Sequence, residues 1–226
     1  MLTGVAATMV DAICGGLAAV TAAPGWIATA DLTMHVARPL VADRELCAAA
    51  RVRRTGRTTV IVEAEICADN AADSPLAFCT ASFSVLQRRA SNPILVADFT
   101  DDQPRRAFIG EHTEFARGAY ESCGFRFAEN GEVAVSPSEY ILNSLGGIQG
   151  GVLASLVDAA TVHALGPEFE TVDLHLVYLA LAKVGPIVAA PTVLQRTSTT
   201  GTVAIELSDA GVPRRTSVAT AVGVRW

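Results

Sequence analysis

Two aspartates, Asp11 and Asp158, each sit in an otherwise apolar run: "LTGVAATMVDAI" from Leu2 and "GGVLASLVDAA" from Gly150. An ionised carboxylate in such surroundings is costly to bury unless partners hold it. Each has a hydroxyl three residues earlier, Thr8 and Ser155. On a helix these spacings share one face and make a narrow polar stripe. Glycines open both runs, Gly4 in the first and Gly150 and Gly151 in the second. Backbone N–H groups at a helix start lack internal partners and lie at the positive end of the dipole, so they can hold a partial negative charge. With no side chains at Gly150 and Gly151, a carbonyl oxygen can approach those donors closely, as in an oxyanion site. A structural reading stands beside the chemical one: the acids could bond neighbouring loops and the glycines could serve close packing. On these residues alone both readings stay open.

The elements that carry these residues form a repeat. Gly4 pairs with Gly151, Thr8 with Ser155, Val10 with Val157 and Asp11 with Asp158, all at an offset of 147. Further matches follow in order: "TADL" from Thr29 and "TVDL" from Thr171, then Arg54-Thr55 and Arg196-Thr197, now at an offset of 142. "TTVIVE" and "GTVAIE" come next, and each copy closes on a strand-like stretch of small residues. Such ordered self-similarity is the mark of duplicated structural units. Each unit reads as a buried helix (Val5 to about Val20; Val152 to about Leu165) followed by antiparallel strands, an α+β design. The expected division is a first unit over 1–90, a linker over 91–122 and a second unit over 123–226. The linker holds the charged turn "TDDQPRR", with a partly helical stretch expected from Glu111 to Tyr120. A hairpin turning at Asn130-Gly131 and a loop lead into the second helix. The first unit has no counterpart to that leading strand and loop.

Composition sets outer limits. The chain has 226 residues, half of them apolar, with a net charge of −6, which argues against a nucleic-acid platform. Five cysteines in no C-x-x-C pair suggest neither a disulfide framework nor a zinc site, and no metal or cofactor is expected. The apolar start could pass for an export signal. However, no Lys or Arg precedes Arg38, Asp11 interrupts the apolar stretch, and the same pattern recurs internally. The expectation is a cytoplasmic protein with no membrane partner.

The spacing Asn143, Gln149-Gly150-Gly151 and Asp158, followed by "TVDL", with "TADL", Arg38-Pro39 and Gly56-Arg57 in the first unit, resembles the hotdog-fold acyl-CoA thioesterases of the phenylacetic-acid-degradation type. The resemblance covers nearly the whole chain as a tandem, or double, hotdog: two antiparallel sheets each wrapping a central helix. It implies a hydrolase acting on an acyl-CoA, with coenzyme A entering only as part of the substrate. It also implies a site between the units. Asp11 of unit one would be general base or nucleophile, the Gly150 N–H would polarise the thioester carbonyl, and Asn143 and Gln149 would orient substrate or water. Gln149 departs from the His usual in the family. Thr29 and Gly151 would have lesser roles. Asp158 and Thr171 would belong to a mirror site in which Leu2 and Thr3 stand where Gln149 and Gly150 should, so one working site per chain is expected.

Arg51, Arg53, Arg54 and Arg57 cluster on one hairpin. Arg54 and Arg57 are candidates for the coenzyme A phosphates, although a solvated strand edge explains the cluster as well. His163, five residues after Asp158, is the residue that an alternative enoyl-CoA hydratase or dehydratase reading would need. A non-catalytic acyl-CoA binder or degenerate paralogue is the other alternative, motivated by Gln149 and by the first unit's lack of a leading loop. Homo-oligomers through outer sheet faces are compatible with the fold.

Overall fold

The computed structural model describes residues 2–41, 44–68, 74–87 and 118–226. The first repeat folds as helix α1 (Thr3–Ala22) and strands β1 (Trp26–Val36), β2 (Leu46–Thr55), β3 (Thr59–Ala68) and β4 (Ala77–Leu86). The second contains a short helix α2 (Ala119–Ser122) and strands β5 (Arg126–Phe127) and β6 (Val133–Val135). Helix α3 (Gly150–Leu165) and strands β7 (Glu170–Tyr178), β8 (Ile187–Arg196), β9 (Thr200–Asp209) and β10 (Arg214–Val224) complete it. Each long helix with its four following strands thus appears twice in the same order, which is the tandem hotdog. Among the described residues, α1 has no strand pair before it to match β5 and β6. The "TDDQPRR" stretch and residues 111–117 of the expected helix lie outside the described residues.

The strand order is β2-β3-β4-β1-β7-β10-β9-β8-β6-β5. The two sheets meet at β1 and β7, which pair antiparallel from Asp31 opposite Val177 to His35 opposite Asp173. They therefore join edge to edge into one ten-stranded sheet. Sharing the central edge removes two of the unpaired strand edges that separate sheets would expose. β7 stops at Tyr178, whereas β1 runs back past Asp31 to Trp26. The join is consequently notched beside residues 26–30, and the main cavity lies there.

The helices cross beneath the sheet, and glycine allows the crossing. A Cβ on Gly151 would lie 2.5 Å from Thr8 Cα, and one on Gly4 would lie 2.8 Å from Ser155 Cα. The polar stripe fills this crossing: Ser155 Oγ donates to the Gly4 carbonyl at 2.7 Å, and Thr8 Oγ1 to the Gly151 carbonyl at 2.9 Å. Apolar composition all round predicts two wrapped helices, and α3 fits, with only His163 and Ala164 of its sixteen residues not buried. α1 is different. It is long and apolar enough to cross a membrane by length and composition (20 residues, mean hydropathy 1.7). In this fold it instead buries Ala6, Ala7, Val10, Cys14 and Ala18 in the core. Its remaining face borders the cavity.

Candidate active site

Asp11 lies halfway along α1, only 6% exposed. Its Oδ2 accepts a hydrogen bond from the Gly151 N–H at 2.8 Å, and its Oδ1 accepts one from the Thr29 hydroxyl at 3.0 Å. The helix crossing brings the start of α3 to this carboxylate, and the β1 irregularity between Thr29 and Asp31 lies where Thr29 meets it. Burial pushes the Asp11 carboxyl above the usual carboxylate range, against the opposing pull of the bonds from Gly151 and Thr29. A carboxylate that is desolvated yet held by two donors is suited to accept a proton or attack a carbon.

The other candidates line the same space. Gln149 is the residue before α3, with extended backbone and no side-chain capping bond. A Cβ on Gly150 would lie 3.0 Å from Asp11 Oδ2 and 3.2 Å from Thr29 Oγ1. Glycine there keeps the space beside the carboxylate open. The Gly151 N–H is spent on Asp11, whereas the Gly150 N–H has no partner among the described residues. Asn143 works on its own loop: its Oδ1 accepts from the Leu145 and Gly147 N–H groups, at 2.9 and 3.1 Å. Its Nδ2 makes only a long bond to the Ile148 carbonyl, at 3.4 Å. Asp11, Thr29, Asn143, Gln149 and Gly150 all border one cavity of about 600 Å³, a size that suits small ligands.

Tyr178 also borders that cavity, and its hydroxyl donates to the Gly150 carbonyl at 2.8 Å. Burial, with Asp11 and Asp31 nearby, pushes its phenol well above the ordinary range, so it stays a donor. In the sequence Tyr178 alternates with Val172, Leu174 and Leu176 and carries no motif. The available signal was a hydroxyl at the end of an otherwise aliphatic face.

The mirror position is built alike and closed. Asp158 is fully buried; its Oδ2 accepts from the Gly4 N–H at 2.9 Å and from the Tyr120 hydroxyl at 2.6 Å. Tyr120, on α2 and stacked on Phe125 with ring centroids 4.9 Å apart, covers the carboxylate. Asp158 Oδ1 and Thr171 Oγ1 are buried without a hydrogen-bond partner among the described residues. The space bordered by Leu2, Thr3 and Thr171 is only about 40 Å³. No sequence motif marked Tyr120, because the first unit offers it no counterpart.

The remaining candidates lie elsewhere. Arg51 and Arg53 are paired with Glu63 and Glu65, and hydrogen bonds from Arg53 and then Arg51 hold Glu63 at about 2. Arg54 and Arg57 are exposed on the β2–β3 hairpin and do not border the cavity. His163 Nε2 lies 2.9 Å from the Ala128 carbonyl and the ring packs edge-on against Phe127, away from both cavities. That location removes the residue on which the hydratase reading depended. Among the described residues, no three His, Cys, Asp or Glu side chains converge as metal ligands would.

Residues 3–80, about a third of the chain, match the family model of the acyl-CoA thioesterase C-terminal domain. No curated protein sequence matches the chain. Among solved structures, a protein from Lactobacillus plantarum described as an oleoyl thioesterase is similar at 14% identity, with a TM-score of 0.61. The match covers 98% of this chain and 86% of that one. The tesB protein of Mycobacterium avium subspecies paratuberculosis is similar at 13% identity and a TM-score of 0.60, covering 93% and 83%. A Novosphingobium aromaticivorans protein described as a thioesterase gives 13% and 0.57, covering 100% and 88%. At these identities the likeness establishes the fold.

Proposed function

We propose that the chain hydrolyses acyl-CoA thioesters at one site, built by Asp11 of the first unit and the start of α3 in the second. The observation that carries this reading is the buried Asp11 carboxylate, held by Gly151 and Thr29 beside the unpartnered Gly150 N–H in a cavity of about 600 Å³. The Gly150 N–H donates to the thioester carbonyl oxygen and stabilises the negative charge that develops there. As base, Asp11 takes a proton from water as the water oxygen attacks the carbonyl carbon, and returns it to the sulfur as the carbon–sulfur bond breaks; as nucleophile, it forms an acyl anhydride that water then hydrolyses, a water proton going to the departing thiolate. Gln149 faces the reacting groups, while Asn143 holds the loop that delivers them and Tyr178 fixes the Gly150 peptide.

Tyr120 over Asp158, and Leu2 and Thr3 in place of Gln149 and Gly150, support a closed second site. Asp158 and Thr171 then act in the fold. We place the protein in the cytoplasm on its sequence features. Thiol release from a panel of acyl-CoAs tests the reading: wild type releases thiol and Asp11→Ala does not. Release unchanged by that substitution would sink the assignment. Binding without release from any acyl-CoA would favour the non-catalytic reading that Gln149 motivates.

A further inference from the structure

We infer that the part of the cavity running along α1 is an acyl channel, and that Gly15 and Gly16 fit it to a straight, medium-length aliphatic chain. This rests on the site proposed above. Asp11, Ala12, Gly15, Gly16 and Ala19 all border the cavity, and their spacing puts them on one face of the helix. Glycine inside a helix is unfavourable, so its presence needs a reason. Packing does not supply one: a Cβ on Gly16 would meet nothing within 4 Å, and one on Gly15 only Phe83 Cε1 at 3.7 Å. Gly15 is half-buried and Gly16 exposed, so the missing side chains leave an open groove along the helix that continues the cavity.

The wall opposite is apolar, with Trp26 2% and Phe83 0% exposed, joined by Ile27 and Leu86. The hydroxyls on this side belong to Thr29, which is committed to Asp11, and Ser84. The wall thus favours hydrocarbon over a polar acyl group. From Asp11 to Ala19 the helix advances ~12 Å, the extended length of roughly eight to ten carbons.

With the carbonyl at Gly150, the other arm of the substrate runs past Asn143, Ser144 and Gln149, where Leu142, Leu179 and Leu181 are 38–53% exposed. A long, charged carrier can reach water on that side. The second unit lacks such a channel: at the offset of 147, Gly15 and Gly16 correspond to Val162 and His163.

Binding of S-butyl-, S-octyl- and S-dodecyl-CoA thioethers, which cannot be hydrolysed, tests the channel by calorimetry on wild type, Gly16→Ala and Gly16→Leu. Wild-type affinity is expected to rise about three- to fourfold per methylene up to the octyl compound, with little further gain at dodecyl. Gly16→Leu is expected to lower the ratio of octyl to butyl affinity by roughly ten-fold or more, with Gly16→Ala in between. An unmoved ratio in Gly16→Leu, or wild-type affinity indifferent to chain length, overturns the channel. Chain-length-dependent binding without hydrolysis of the matching acyl-CoAs would sink the hydrolytic reading and keep the channel. Asp11-dependent hydrolysis with an unmoved ratio would do the reverse. Failure of every thioether to bind contradicts both.

Discussion

At the scale of single residues, Asp11 carries the account, and its environment makes two predictions. Burial raises its carboxyl above the usual range, so the acid limb of kcat/KM should fall at a pH above that of an ordinary surface carboxylate; a limb at or below the surface value would contradict this. The same shift has a stability consequence. A carboxyl with a raised folded-state pKa favours folding most below its unfolded value and loses that contribution as pH rises through the folded value. Asp11→Asn, which can still accept from the Gly151 N–H, should therefore melt above wild type at neutral pH, with the gap closing as pH approaches the unfolded value near 3.8. A melting curve below wild type at neutral pH would show the acid to be chiefly structural. At the mirror position, Tyr120 donates to the buried Asp158 at 2.6 Å. Tyr120→Phe should cost about 1–3 kcal/mol by denaturant titration, since it takes a partner from a buried acceptor. No measurable cost would mean that Tyr120 does not hold the second site shut.

At the scale of elements, the two central helices differ in what their glycines do. Gly151 and Gly4 meet backbone across the crossing, so Gly151→Ala should force α1 and α3 apart and cost about 1–3 kcal/mol. Gly16 meets nothing within 4 Å, and Gly16→Ala should stabilise by about 0.5–1 kcal/mol. Equal effects in unfolding experiments would erase the distinction between a crossing glycine and a cavity glycine. The sequence made the helices and strands legible because hydrophobic pattern, glycine-bearing turns and repetition agreed at Thr29–Leu32 and Thr171–Leu174. It could not reveal that α1 leaves one face on a cavity, since both helices are apolar all round and only tertiary neighbours separate them. Nor could it show Tyr178 bonding the Gly150 carbonyl, because a strand's inward face reads the same whether a hydroxyl is idle or partnered. The arginine cluster was ambiguous for a similar reason: the Glu63 partner is cross-strand, visible only once β2 and β3 are in register.

At the scale of the whole molecule, duplication supplies a pseudo-two-fold that the structure uses unequally. Gly151 meets Asp11 and Gly4 meets Asp158 through equivalent bonds, yet one side borders an open cavity of about 600 Å³ and the other a space of about 40 Å³. The family resemblance carried by the spacing Asn143–Gln149–Asp158 implied which aspartate would meet which loop. It did not indicate that Tyr120 would fill the opposite position, because among the described residues that segment has no counterpart in the first unit. Titration with an acyl-CoA analogue should therefore saturate at one molecule per chain, whereas two equivalent sites would contradict a single working site.

The division of roles between the two aspartates is tested most directly by kcat/KM for acyl-CoA hydrolysis in wild type, Asp11→Asn and Asp158→Asn. An Asp158→Asn side chain can still accept from Gly4 and Tyr120 through its amide oxygen. Asp11→Asn should lose roughly a hundredfold or more, the scale of a removed catalytic base, while Asp158→Asn keeps most of the wild-type value. Comparable losses in both variants, or a greater loss at Asp158, would contradict the single cross-unit site.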